Sequence, residues 1–565
     1  MKIKNSLSFL LRQFGLLNGA RAVYDRSLSG RLGFPTIRLR PWESVRRAMN
    51  GAGEVTNFAG EHRLLQFPVR GAGYPNTVEG LVGRGFQQRG ATVLAAVCNS
   101  ILPACDNRVR ETMDLITCES CVRTCTEMWQ QGFSIPLVTY DEVISEDEIA
   151  VLKNIAADVT PENLSSLTYR NIDLSTFVYS SLLRFITGTE IPDNESGTEL
   201  LHRYALAAIV TTEVTYRLIE RFRPTVIQLS HGIYVTFGPV LAVARKMNIP
   251  AYIIARAYRK NTIMFSRNET AWDSIKRTGM DDIRRTIPYT EAQDAQLTQY
   301  LQSRTKGDQD HIRYNPRSSQ NVSRITSQSK LIGADKTVAI FPNIFWDAAM
   351  AEQDAVFPTS SDWLIETVRK AHDFPSTHFV VRAHPAELRL PVKTTATAAT
   401  VIETALGALP KNVSLVAPDD PLCSYRLMDL ADLIVVYSSK MGLEAAARGK
   451  DVVVGGDSFY RRKGFTFDPV TPTKYFDFLN QTFAEDLPED RVQRARHFAY
   501  YFFFCAYFPF RLYNDETFEI NDDTATQLNG VNSGDLDNVI RTMLDVQDPM
   551  DPASWCHATH QATLT

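Results

Sequence analysis

Apolar residues along this chain gather in short, nearly unbroken runs, separated by stretches in which they recur every third or fourth position. A run that is apolar throughout, rather than alternating, reads as a strand buried on both faces, as in a parallel sheet. Residues 92–98, 224–230 and 251–255 have that form in the first half. In the second half it returns at 337–341, 378–382, 413–416, 432–437 and 451–454. Helical spacing falls between them, at 76–89, 238–247, 362–372, 397–406 and 440–448. Asn76 and Glu79 stand three apart, as in a capping box at a helix start, and Gly90 is placed to end that helix. Strand–helix alternation of this kind is βαβ grammar.

The pattern occurs twice, over 61–302 and 331–493, with a polar, aperiodic join at 303–330 rich in Ser, Asn and Arg that reads as a linker. The expected fold is therefore α/β, with two Rossmann-like domains facing a cleft and ligands held beyond the carboxyl ends of the strands. Residues 1–60 form a helical extension, in which Leu7, Leu10, Leu11, Phe14 and Leu17 share one face. That face could pack on the protein or rest on a membrane surface. Residues 494–565 form a tail opening with the aromatic run 494–510, expected to be one buried helix.

The chain has 565 residues, enough for two large domains with additions. With 44% hydrophobic and 22% charged residues it reads as folded rather than disordered. Its 60 basic and 64 acidic residues give a net charge of −4, which argues against nucleic acid as the main partner. Lys2 and Lys4 resemble the start of a signal peptide, but Arg12 interrupts the apolar run. No window offers the ~18 apolar residues that span a bilayer. The expected location is cytoplasmic, with the inner membrane surface as an option. The eight cysteines do not form a secreted disulfide framework. Cys118 and Cys121 have metal-ligand spacing and Cys125 follows one turn later, so either a structural zinc site or packed thiols fits.

Candidate chemistry collects at strand ends in the second half. Arg382-Ala-His384-Pro385-Ala-Glu387 closes one strand with a cation, an imidazole and a rigid turn, although His384 could equally serve only to fix that turn. Tyr437-Ser438-Ser439-Lys-Met-Gly442-Leu-Glu444 follows another and opens a helix. Its hydroxyls and N–H groups suit a nucleotide phosphate, and Glu444 could reach ribose hydroxyls or merely complement the helix dipole. Gly455 to Gly464 is a loop bearing Tyr460, Arg461, Arg462 and Lys463, which suits a diphosphate or a sugar acid, or else a solvated surface. A transfer to a hydroxyl acceptor would also need a base, expected from the first domain. His231, Glu79 and Glu269 are the candidates, with His231 favoured for its Ser-His-Gly turn after a buried strand.

These motifs occur in order with Asn343-Ile-Phe-Trp346-Asp347, Asp362-Trp363-Leu-Ile-Glu366-Thr367, Ser424-Tyr425-Arg-Leu-Met428 and Tyr460-Arg-Arg-Lys463-Gly464-Phe465-Thr466. Together they resemble the capsule polysaccharide biosynthesis family, which includes the Kdo transferases of capsule assembly. The resemblance is good over 335–510 and looser in the first half, through Ser230-His231-Gly232-Ile-Tyr234 and Tyr258-Arg259-Lys260-Asn-Thr262.

It implies a GT-B fold whose C-terminal helices cross back and whose second domain holds a nucleotide sugar. The donor-binding set would be Arg382, His384, Ser438, Ser439, Gly442, Glu444, Tyr460 and Lys463. His384 would meet the donor phosphate and help the nucleotide depart, as in GT-B enzymes that use CMP-activated sugar acids. The implied activity is metal-independent transfer to a glycan or lipid-linked acceptor, alongside capsule assembly machinery at the inner membrane and with no cofactor required. CMP-Kdo is one suggested donor. The cysteine cluster lies outside the family pattern, and UDP- and GDP-sugars stay open. A sugar-nucleotide epimerase and a non-catalytic assembly partner are the alternatives.

Overall fold

The computed structural model describes residues 61–551, apart from 69–72, 107, 110–112, 115–117, 312–318, 349–354, 390–393, 481–486, 515–519, 521–523 and 525–533. The amphipathic segment from Leu7 to Leu17, like the rest of 1–60, lies outside the described residues.

The first sheet is built from β1 (Arg63–Phe67), β2 (Thr92–Val97), β3 (Leu137–Thr139), β4 (Val226–Ser230), β5 (Ala251–Arg256) and β6 (Thr262–Arg267), in the order β6-β5-β4-β1-β2-β3. All neighbours are parallel except β5 and β6. The run at β1 is short and contains Gln66, so the pattern along the chain gives it no strong signal although it lies centrally in the sheet. Gln66 is fully buried there, its Nε2 donating to Gln228 Oε1 at 2.6 Å and to the Glu79 carbonyl at 2.8 Å. Paired amides of this kind make a polar residue tolerable inside a sheet.

Helix α1 (Gly73–Gln88) covers one face of this sheet. It starts three residues earlier than the capping-box reading requires, because Pro75 fits the first turn, where its missing N–H costs nothing. Asn76 instead accepts a hydrogen bond from Trp129 Nε1 at 3.1 Å, and Glu79 lies inside the helix. Gly90 does adopt the expected left-handed backbone, at φ 84°. The other face is covered by α2 (Ser175–Ile186), α3 (Glu195–Phe222) and α4 (Gly238–Lys246). The 28-residue α3 is capped by Asn194, whose side chain accepts from the Gly197 N–H.

Of the stretch expected as a linker, the described residues 303–311 and 319–330 are built into the second domain. Helices α5 (Ala271–Arg277), α6 (Glu291–Ser303) and α7 (Ser323–Leu331) place Ile275, Leu297, Tyr300 and Ile325 in the same core as Val380 and Ile434. Each helix buries few residues, which is why 303–330 reads as polar. Its Arg304 and Asp310 are themselves buried side chains.

The second sheet is wholly parallel, in the order β9-β8-β7-β10-β11, from β7 (Lys336–Phe341), β8 (Thr377–Arg382), β9 (Val413–Val416), β10 (Leu433–Val436) and β11 (Asp451–Val454). All five strands fall where the apolar runs predict. Helix α8 (Ser360–Arg369) packs on one face, and the six-residue α9 (Met441–Ala446) follows β10.

The aromatic run is not one helix. Helix α10 (Arg491–Tyr500) ends in a wide turn, and β12 (Tyr507–Pro509) then joins the first sheet as its seventh strand, antiparallel to β6. Pro509 cannot continue a helix but is acceptable on an edge strand. Helix α11 (Asp535–Leu544) then packs on α1. The chain therefore does return to its first domain, by a strand followed by a helix.

Candidate functional site

The carboxyl ends of β7, β8, β10 and β11 face a cavity of about 540 Å³, closed from the other side by Ile233, which follows β4, and Tyr258, which follows β5. His384, Ser438, Ser439 and Arg382 all line it. Groups from separate strand ends, 54 or more residues apart in the chain, thus share one space, as the topology of such sheets provides.

His384 fixes the turn and also faces the cavity. Its Nδ1 accepts the Ala386 N–H at 3.1 Å, which fixes the turn, and the ring remains part of the cavity wall. Burial, reinforced by the positive charges of Lys440 and Arg382, pushes its pKa down to about 4, so the imidazole is neutral at pH 7. Ser438 is clamped by Asn343 at the end of β7. Its Oγ accepts from Asn343 Nδ2 at 3.2 Å, and its N–H donates to Asn343 Oδ1 at 3.3 Å. The Ser439 Oγ accepts the Met441 N–H at 3.3 Å. Arg382 is 2% exposed, and its guanidinium donates to the carbonyls of Ala383, Ala417 and Asp420, bracing the loop after β9.

Four residues expected to touch a ligand instead build the wall behind it. Glu444 is completely buried. Its Oε1 accepts from Arg304 Nη2 at 3.1 Å and Lys440 Nζ at 3.3 Å, and its Oε2 from the Tyr425 hydroxyl at 2.6 Å. Burial would raise its pKa, but Arg304 and Lys440 outweigh this and hold it at about 2. The Tyr460 hydroxyl donates to the Ser439 carbonyl at 2.6 Å, and Gly442 leaves room for it, since a Cβ there would collide with the ring. Lys463 Nζ donates to the carbonyls of Lys276 and Thr278 at 2.8 and 2.7 Å, closing the end of α5. Arg461 likewise donates to the carbonyls of Gly456 and Pro469. Two of the loop's three cations, Arg461 and Lys463, are therefore buried against carbonyls that irregular backbone leaves open, while Arg462 is exposed.

The base candidates separate. Glu79 is 1% exposed inside α1 and does not line the cavity. Glu269 accepts from Arg277 at 2.6 Å and is also away from it. His231 stands closer. It does not itself line the cavity, but its near neighbour Ile233 does; its ring packs edge-on against Tyr234 and Phe237, and among the described residues its buried Nδ1 has no hydrogen-bond partner. Asp347, not distinguished in the motif, reaches the cavity from the second domain. It meets the Tyr234 hydroxyl at 3.4 Å and Arg184 at 3.5 Å.

Cys118 and Cys121 lie on the helix Cys118–Thr126, while Cys125 is 1% exposed in the core beside Met128 and Trp129. Among the described residues no three His, Cys, Asp or Glu side chains are placed to hold a metal ion. Nor, among them, is any helix long and apolar enough to cross a membrane.

Two facing Rossmann-like sheets, a shared cavity at their strand ends and a C-terminal return to the first sheet define the GT-B class of α/β proteins. Residues 336–483, within the second domain, match the family model described as capsule polysaccharide biosynthesis protein. None of the curated proteins matches the chain in sequence. Among solved structures it is similar to Thermosulfurimonas dismutans KpsC, a beta Kdo 2,4 transferase, at 14% identity and TM-score 0.35, over 54% of this chain and 88% of the other. It is also similar to UDP-GlcNAc 2-epimerase from Neisseria meningitidis, at 13% identity and TM-score 0.23, over 78% and 96% of the two chains.

Proposed function

We propose that this protein is a glycosyltransferase of capsule or surface polysaccharide synthesis, moving a sugar from a nucleotide-sugar donor to a glycan or lipid-linked acceptor. The supporting observation is the convergence of His384, Ser438 and Ser439 on one cavity between the two domains. In this reading the two serines hold the donor phosphate. The neutral His384, its Nδ1 already accepting from backbone, turns its other nitrogen toward the departing phosphate and stabilises the charge developing there. His231 takes the proton from the acceptor hydroxyl, for which a buried nitrogen without a hydrogen-bond partner is suited. Burial lowers its basicity; Asp106 and Asp347 work against that and Arg184 adds to it. No step in this scheme calls on a metal.

Nucleotide binding comes first. Titration with CMP, UDP and GDP should raise the melting temperature with at least one of them, since a ligand of the folded state stabilises it. His384→Ala should then lower transfer by roughly 100-fold or more while leaving the melting temperature of the free protein nearly unchanged. Full polymer formation by that variant would remove His384 from the mechanism. An isomerised nucleotide sugar, in place of glycan and free nucleotide, would point to epimerase chemistry instead.

A further inference from the structure

Lys440 follows Ser439 directly and lines the same cavity, yet nothing in the spacing of the motif marks it out. Its side chain is 18% exposed and held from two sides. Nζ lies 3.3 Å from Glu444 Oε1 and 4.8 Å from the centre of the Tyr258 ring, which arrives from the first domain. The carboxylate that holds it is shared. Glu444 Oε1 also accepts from Arg304 Nη2, and Glu444 Oε2 from Tyr425, while Arg304 is further paired with Asp310. The buried cluster thus sets two cations against two carboxylates, with Lys440 at its cavity edge. An ammonium has three N–H donors. One is directed at Glu444 and one face lies over the aromatic ring, which leaves donor capacity toward the cavity. An anion arriving there would meet a charge whose long side chain is already ordered, so binding would not have to fix it.

We infer that Lys440 is a phosphate-binding residue, its ammonium donating to a phosphate oxygen of the nucleotide donor next to Ser438 and Ser439. The buried partners Glu444 and Arg304 and the Tyr258 ring are positioning residues that aim it. This rests on reading the cavity as a nucleotide site. The carboxylate of an acidic sugar offers similar chemistry, so the test separates the two sources.

Affinities of CMP, UDP and GDP, of the corresponding nucleosides, and of free Kdo as a sugar acid are to be measured on the full chain, as wild type, Lys440→Met and Lys440→Arg. Lys440→Met should weaken nucleotide binding about tenfold or more, as expected for a hydrogen bond to a charged group. It should leave nucleoside affinity unchanged, and Lys440→Arg should restore most of the loss. Independently of any variant, wild-type nucleotide affinity should fall with rising ionic strength more steeply than nucleoside affinity. Equal nucleotide affinity in wild type and Lys440→Met overturns the assignment, as does a loss confined to the sugar acid or extending equally to nucleosides. A wild type that binds none of the three nucleotides overturns the cavity reading itself.

Discussion

At Glu387 the fold holds a carboxyl that is 1% exposed, with Oε1 accepting the Ala398 N–H at 3.0 Å and Oε2 lacking a hydrogen-bond partner. Burial pushes its pKa up from the usual 4.5 to about 7. The folded state therefore favours the protonated form, so this group's contribution to stability is complete below pH 4.5 and is lost as pH rises through 7. Glu387→Gln should be close to neutral at pH 4.5 and should stabilise the protein at pH 8 by on the order of 1–3 kcal/mol. Thermal unfolding of both proteins across that range checks it; parallel curves would contradict the expectation. The same scale explains why residue types were easier to read than their roles. Lys463, Tyr460 and Glu444 do occur beside the cavity, but whether a cation meets a ligand or a carbonyl depends on which backbone groups lie opposite. Lys463 meets two carbonyls at the end of α5, nearly two hundred residues earlier in the chain.

Among the elements, α9 shows how closely the cavity wall is fitted. Gly442 is needed because the Tyr460 ring lies against its Cα, and that tyrosine in turn holds the Ser439 carbonyl. Gly442→Ala should cost about 1–3 kcal/mol by forcing the ring away, and should weaken nucleotide binding through the displaced Ser439. Combining it with Tyr460→Phe, which removes the colliding hydroxyl, should recover part of the stability, so the two effects should not add in a double-mutant cycle. Strands buried on both faces are the elements that local pattern identified, since burial on both sides leaves a continuous apolar run. β1, β3, β6 and β12 escaped because they are short or carry polar residues, and because β12 is a strand only where β6 offers it an edge. α1 was found, but its start was misplaced by an apparent capping box inside the helix.

For the whole molecule the decisive contacts join distant parts of the chain. Arg89 at the end of α1 pairs with Asp537 of α11 at 2.8 Å, with side chains 1% and 4% exposed. Asp537→Ala would leave a buried guanidinium charge without that partner and should cost about 3–5 kcal/mol. Arg541→Ala, which removes only the half-exposed partner of the same carboxylate, should cost about 1 kcal/mol or less. A similar loss from both variants would mean that α11 is not buried against α1. Across the cleft, the N–H groups of Thr395 and Ala396 both donate to the Thr187 carbonyl at 3.1 Å, and Arg184 reaches Asp347, so the first domain touches the second beside the cavity.

The amino-acid order by itself determined the α/β class, eight of the twelve large-sheet strands and the positions of His384 and the serine pair at strand ends, because each rests on interactions within about ten residues of chain. Only the tertiary structure decided that Arg304, Asp310 and Ile325 of the polar stretch are buried in the second domain, that β12 completes the first sheet, and that Glu444 is a buried anchor for Lys440 and Arg304. Those outcomes depend on burial and charge pairing between segments far apart in sequence, which no local pattern records.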